Sequence, residues 1–322
     1  MIGDYVTGKI FRTLDEQIDI FKKRGLIVKD VDKARDILFK ENYFFLSGYR
    51  HLFTIPGNKD KFMEGTTFDE LYATFIFDRR IRNIFFKNIL IVENNIKSIM
   101  SYQLSKKYGF KEKEYLSPKN FSSDSMKTRQ VYDVLSKVKR QIRINGNKHT
   151  ATYHYMNNYG FIPLWILVKV LSFGIMSEFY DILKIEDKEG ISSVYNIDVE
   201  TMKCYLSLLS NFRNVCAHED ILYDHRTQKV IPDCYVHKKL GISEGLDGYL
   251  YGKNDLFSLV IILKFMLSKE EFNLMIDEIS NEVEVLDEAI DVVPLESILY
   301  KIGFPANWRD IKELEEDVWE RK

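Results

Sequence analysis

The clearest pattern of apolar positions lies between Asp198 and His218, where apolar side chains recur at helical spacing. Asp198 is suited to the N-cap, because its carboxylate can accept hydrogen bonds from the first free backbone N–H groups. The pattern predicts a buried helix whose core face is formed by Met202, Tyr205, Leu206, Leu208, Leu209 and Phe212. We expect the helix to end by fraying near His218, with a backbone that can rotate this side chain towards Arg213.

Two capping boxes predict helices nearer the N-terminus. Thr13-Leu14-Asp15-Glu16 opens one that stops near Gly25, and Thr67-Phe68-Asp69-Glu70 opens a long one that runs to about residue 108 and stops at Gly109. Two charge runs in the long helix, over residues 78–82 and 93–97, are typical of a solvated face. The alternative is a face that contacts an RNA backbone or a partner subunit.

Other stretches complete a helical picture. We expect helices after Asp30, from Pro163 with a break at 172–174, over 256–267, and in the acidic stretch that follows. The helix from Pro163 is apolar nearly all round, which predicts burial against the helix that ends at His218. The aromatic run at 42–51 is interpreted as a packed turn. Alternating strand patterns are scarce, so the chain is predicted to be all-α.

Composition narrows the class of protein. Of 322 residues, 45% are apolar and 29% charged, and the net charge is −2, which excludes the strongly basic character of a nucleic-acid coating protein. No apolar run is long enough to span a membrane, and the N-terminus has no signal-peptide pattern. Three cysteines without paired spacing fit a reducing compartment. We therefore expect a cytoplasmic protein with no membrane partner.

One local stretch is basic despite the overall balance. Residues 124 to 144 are predicted to be helical and carry few acidic side chains. Such a face can follow a phosphate backbone, although a solvated basic face or a protein interface gives the same pattern. The candidate RNA-binding residues are Lys127, Arg129, Lys137, Lys139, Arg140 and Arg143.

The end of the helix before residue 218 carries the candidate chemistry. Arg213 bears a permanent charge, Asn214 an amide, and His218 an imidazole that titrates near neutrality. Asn214 and His218 are four residues apart and share a helical face, whereas Arg213 lies about 140° from His218 around the helix axis. Cleavage of RNA without metal needs a proton acceptor, a proton donor and positive charge at the phosphate. These three residues can supply such groups.

Other interpretations of the same residues remain open. Arg213 and His218 could serve only to pair and cap within a helical core, since short motifs often match by chance. A second arginine–histidine spacing, Arg143 to His149, is expected to have no catalytic role. A metal site at His218, Glu219, Asp224 and His225 has suitable ligand types at spacings that match no known site.

The segment Arg213-Asn214-Val215-Cys216-Ala217-His218 resembles the R-N-x-x-A-H signature of the HEPN ribonuclease superfamily. Further segments resemble its abortive-infection (AbiD/AbiF-like) branch, occur in the family's order and span nearly the whole chain. They are Arg24-Gly25-Leu26, Leu46-Ser47-Gly48-Tyr49-Arg50, Pro163-Leu164-Trp165 with Ser172-Phe173-Gly174, and Gly303-Phe304-Pro305-x-Asn307-Trp308.

The resemblance implies an all-α, HEPN-like helical bundle with N-terminal and C-terminal helical extensions. We expect the extensions at residues 1–65 and 226–322 and the bundle at 66–225. It implies a metal-independent endoribonuclease toxin in phage defence or a toxin–antitoxin pair, without a cofactor and with Arg213, Asn214 and His218 as catalytic residues.

The same resemblance implies partners. A chain with one motif implies a homodimer with a composite site, whose cleavage leaves a 2′,3′-cyclic phosphate, and a small non-coding RNA or a protein as antitoxin. The chain departs from the family pattern at Glu219-Asp220-Ile221, where a second histidine and an arginine often follow. This departure makes the site more acidic. The alternative function is a catalytically inactive RNA-binding or scaffold protein of the same fold.

Overall fold

The computed structural model describes residues 10–246 and 248–315. These residues form fifteen α-helices and one short two-stranded hairpin, which confirms the prediction of an all-α chain. The first eight helices are α1 (Leu14–Lys23), α2 (Val31–Glu41), α3 (Tyr43–Gly48), α4 (Phe68–Tyr108), α5 (Glu112–Tyr115), α6 (Thr128–Asn145), α7 (Thr150–Tyr159) and α8 (Leu164–Leu167). The others are α9 (Phe173–Asp181), α10 (Ile185–Ser192), α11 (Val199–Ala217), α12 (Tyr235–Lys239), α13 (Leu256–Met266), α14 (Lys269–Asp287) and α15 (Leu295–Lys301), and strands β1 (Glu244–Gly245) and β2 (Gly248–Tyr249) pair antiparallel.

Capping chemistry sets the bounds of the long helices as predicted. At the start of α4, the Thr67 N–H donates to the Glu70 carboxylate at 2.9 Å, and the Glu70 N–H donates back to the Thr67 hydroxyl at 3.2 Å. The helix stops before Gly109, whose φ of 90° lies in the left-handed region that glycine adopts without strain. Thr13 caps α1 by the same reciprocal pattern.

The chain divides into two compact units. The first comprises Met1–Ile81 with Ile279–Lys301, and the second Arg82–Glu278 with Ile302–Lys322. Helices α4 and α14 each contribute residues to both units, and the expected divisions near residues 65 and 225 stay a prediction. Within the second unit, α11 packs against α9, α10 and α13, while α6 packs against α9. The predicted site therefore belongs to the second unit, on its central helix.

The aromatic run at 42–51 is less buried than predicted. It forms α3 and a 3-10 turn, Tyr49–Leu52, and Phe44 is 72% exposed and Phe45 39% exposed. Tyr49 does reach the core of the first unit, where its hydroxyl donates to Asp78 at 2.8 Å. The helix from Pro163 is also less buried than predicted, because Trp165 is 43% exposed.

The segment after α15 belongs to the second unit. Trp308 is fully buried and its ring lies 5.1 Å from that of Phe304. Gly303 precedes them at a φ of 94°, next to the buried Asp255 that caps α13. Within residues 10–246 and 248–315, no helix is both long enough and apolar enough to cross a membrane.

Candidate active site at the end of helix α11

Helix α11 forms as its pattern predicts. The Asp198 carboxylate accepts hydrogen bonds from the N–H groups of Glu200 and Thr201, each at 2.9 Å. The predicted core face is buried, with no member more than 2% exposed: Met202, Tyr205, Leu206, Leu208, Leu209 and Phe212. A helix held along this face fixes the direction in which its remaining side chains point.

The C-terminal end of α11 is a defined turn and not the frayed end that we expected. His218 is the C-cap residue, and Glu219 adopts the left-handed conformation with a φ of 57°. The Asp220 N–H donates to the Val215 carbonyl at 3.1 Å and the Glu219 N–H to the Cys216 carbonyl at 3.4 Å. These are the two hydrogen bonds of a Schellman motif, which normally places glycine where this chain has Glu219.

A buried arginine from α4 holds this turn. Nη1 of Arg82 donates to the Asp220 carbonyl at 2.8 Å, and Arg82 is only 3% exposed. The prediction that the charge runs of α4 form a solvated face is therefore wrong at this position. The guanidinium thus binds a backbone carbonyl just beyond the end of α11 and ties the turn to α4.

Arg213 is held by a second buried charge of α4. Its Nε lies 3.3 Å from one carboxylate oxygen of Glu93, and Lys97 Nζ lies 2.7 Å from the other. Glu93 is 4% exposed, so the run at 93–97 is also not a solvated face here. The guanidinium carbon lies 5.8 Å from the centre of the Phe86 ring. Among the described residues the two terminal amino groups of Arg213 make no hydrogen bond, which leaves donors for a ligand.

Asn214 and His218 are both exposed, as their shared helical face predicts. Within the described part of the chain, neither side chain makes a hydrogen bond or an ion pair. Arg213 and His218 do not bond to each other, because Arg213 turns towards α4 instead. The arrangement is an open amide–imidazole pair beside a guanidinium that a neighbouring helix orients.

A second histidine, His225, lies in the loop that follows α11. Nε2 of His225 is 2.5 Å from Oδ1 of Asn211, and because an amide oxygen accepts, this nitrogen carries the proton. The ring also packs edge-on against Phe212 at 5.2 Å. Burial is the largest cause that lowers the pKa of His225 from 6.5, so near neutrality the ring is neutral.

This geometry limits what one chain can do. His218 can take or give a proton at a bound molecule, Asn214 can hold a polar atom, and Arg213 can bind an anion. His225 is already committed to Asn211. One chain thus presents a single open imidazole at this edge, whereas RNA cleavage of the predicted kind uses an acid and a base.

The basic helix is only partly free to bind phosphate. Lys127 pairs with Asp181 at 3.0 Å, Lys137 with Glu178 at 2.7 Å, and Arg129 lies 3.9 Å from Asp133. Two of these carboxylates come from α9, which the local sequence of α6 could not indicate. The remaining three candidates are exposed and have no ion pair among the described residues; we call them the exposed basic cluster: Lys139, Arg140 and Arg143.

The described residues contain no group of three or more His, Cys, Asp and Glu side chains that could hold a metal ion. The alternative ligand set at 218–225 is therefore not assembled in this part of the chain.

Sequence reasoning missed Arg82, Glu93 and Lys97 as supports of the site. Their signal was present: Arg82 and Glu93 are eleven residues apart, about three helical turns, and so lie on one face of α4.

Comparison with known proteins places the chain in a family. A family model described as "Abi-like protein" matches residues 36–224, which is more than half of the chain and includes Arg213, Asn214 and His218. No curated protein and no solved structure matches it. The extent of the family match decides the assignment: the chain belongs to the family of Abi-like proteins.

Proposed function

We propose that this chain is a HEPN-type endoribonuclease toxin that acts in phage defence by abortive infection or in a toxin–antitoxin pair. Membership of the Abi-like family suggests abortive infection as the setting. The observation that carries the catalytic part is the open Asn214–His218 pair at the capped end of α11, beside an arginine oriented by a buried carboxylate.

The proposed reaction needs no metal. The imidazole of one His218 removes the proton of a ribose 2′-hydroxyl, whose oxygen then attacks the adjacent phosphorus. The bond from phosphorus to the 5′-oxygen breaks, and an imidazolium donates a proton to that oxygen. Arg213 stabilises the charge on the phosphate oxygens with its free amino groups. The products are a 2′,3′-cyclic phosphate and a 5′-hydroxyl.

A second copy of the chain completes this scheme. Among the described residues, each chain presents one open imidazole at this edge, and a dimer related by a two-fold axis would bring two copies of His218 to one phosphate. One ring would act as base and the other as acid. The exposed edge formed by Asn214 and His218 supports this arrangement, because it has no partner among the described residues.

A specific observation favours a second candidate, an inactive RNA-binding or scaffold protein. Arg213 is paired with Glu93, and Glu219 and Asp220, two exposed acidic residues, follow His218 directly. The exposed basic cluster could still bind RNA, including a small RNA antitoxin. Salt-sensitive RNA binding without cleavage by the unaltered protein would select this candidate.

The decisive experiment compares purified, RNA-stripped proteins on labelled RNA with and without EDTA. We expect the unaltered protein to cleave in EDTA, His218→Ala to lose at least about a hundredfold in rate, as typical of a removed general acid–base group, and Asp224→Ala to keep its rate. Asp224 is an exposed nearby residue and makes a matched control. Loss of activity in both EDTA and Asp224→Ala would instead indicate metal chemistry.

A further inference from the structure

The second unit contains a cavity of about 1020 Å³ between α4, α7 and the segment around α8. This is the size of sites that hold small ligands. Its lining includes Lys169 and also Lys97, whose ammonium group pairs with Glu93, and it includes no carboxylate side chain. Lys169 is exposed and has no ion pair among the described residues, so its ammonium group is available to an anion.

Helix α7 adds a second source of positive potential. Thr150 and Ala151, its first two residues, line the cavity, and no side chain caps this helix end. Tyr153 is the first residue of α7 whose N–H bonds back along the chain, to the His149 carbonyl at 2.9 Å. The preceding N–H groups and the positive end of the helix dipole are therefore available to an anion that Lys169 attracts.

Flat aromatic surface lies in the same cavity. Trp165 and Tyr155 both line it, and the 43% exposure of Trp165 leaves part of the indole ring open. Aromatic faces bind nucleobases by stacking, with little preference among the bases. An anion site and a stacking surface in one cavity match the two ends of a nucleotide.

We infer that this cavity binds a nucleoside monophosphate unit, with the phosphate at Lys169 and the start of α7 and the base against Trp165. The cavity adjoins the motif, because Lys97 and Arg213 share the carboxylate of Glu93. The unit can belong to an RNA strand or be a free nucleotide, since the chemistry is the same. Binding here is separate from cleavage and can be measured without it.

The test uses the full chain carrying His218→Ala, which prevents cleavage from affecting the readout. Isothermal titration calorimetry measures the affinity for AMP, UMP and unphosphorylated adenosine, and fluorescence anisotropy measures the affinity for a labelled hexanucleotide RNA. We expect Lys169→Ala and Trp165→Ala each to weaken binding of the phosphorylated ligand about tenfold or more, the size expected for one charged hydrogen bond or one stacked base. Adenosine binding should respond to Trp165→Ala but not to Lys169→Ala.

Two further variants keep the result interpretable. Lys59→Ala removes an exposed lysine of the first unit and should leave binding unchanged. Trp165→Phe keeps a stacking surface and should restore most of the affinity, even if Trp165→Ala folds poorly. Binding of RNA alone would assign the cavity to a strand, and binding of AMP or UMP as well to a free nucleotide. No binding of either, or equal losses in Lys59→Ala, would overturn the inference.

Discussion

The left-handed backbone at Glu219 allows a direct test of how helix α11 ends. Three substitutions, Glu219→Gly, Glu219→Ala and Glu219→Gln, all remove the carboxylate, but only glycine also removes Cβ. At a φ of 57° a residue with Cβ is disfavoured by about 1–2 kcal/mol, and glycine gives back up to about 1 kcal/mol through its larger entropy in the unfolded chain. We therefore expect the glycine variant to be more stable than the alanine variant by about 1 kcal/mol.

Thermal unfolding followed by circular dichroism measures this difference. For a domain of this size, about 1 kcal/mol corresponds to a rise of about 2 °C in Tm. The alanine and glutamine variants should unfold close to the unaltered protein, since the Glu219 side chain is exposed. If Glu219→Ala proves as stable as Glu219→Gly, the backbone at this position is not left-handed and the Schellman end of α11 is wrong.

Three other measurements probe separate parts of the second unit. Gly303→Ala should lower the free energy of unfolding by about 3 kcal/mol, because an added Cβ would lie 2.3 Å from Asp255 Cγ. Gly57 also has a positive φ but lies in open space, so Gly57→Ala should lower it by only about 1 kcal/mol. Urea unfolding measures both values, and equal losses would contradict the clash at Gly303. His225→Gln keeps an N–H donor but cannot titrate. Folding lowers the pKa of His225, so the unfolded chain binds the proton first as the pH falls below about 6.5, and the unaltered protein loses stability. The variant should therefore lose less stability than the unaltered protein between pH 7.5 and 5.5. Parallel losses in the two proteins would refute this. Glutamine at all three positions of the exposed basic cluster should reduce the slope of log K against log salt for RNA binding by about 3, while Lys137→Gln, whose ammonium is already paired, should change it little.

The helices that pack by one apolar face were predictable from the sequence, since the pattern itself states which side is buried. The bounds of α4 and the core face of α11 followed from caps and spacing alone. The prediction that the aromatic run at 42–51 is packed failed in part, because aromatic content does not show which rings a neighbouring helix covers. Phe44 and Phe45 are exposed although Tyr49 in the same run is buried.

Local sequence places Arg82 and Glu93 on one face of α4 but does not show that they support the candidate site. Arg82 and Glu93 look like surface charges until the groups that they bind are known, and those lie more than a hundred residues away, at Asp220 and Arg213. The neutralisation of Lys137 by α9 is hidden in the same way. Local charge patterns predict exposure only where no distant partner competes with water for the charged group.

The two contacts that α4 makes with α11 and the turn after it also restrict how the length of related chains can vary. Arg82 and Glu93 are separated by eleven residues, about 16 Å along α4, and reach Asp220 and Arg213 in reverse order, so the two helices run antiparallel there. One inserted or deleted residue between positions 82 and 93 would turn one of the two side chains by about 100° away from its partner. Relatives that keep both contacts should therefore carry length changes in the loops and retain the eleven-residue interval, which makes that interval a marker of this site that can be read in any related sequence.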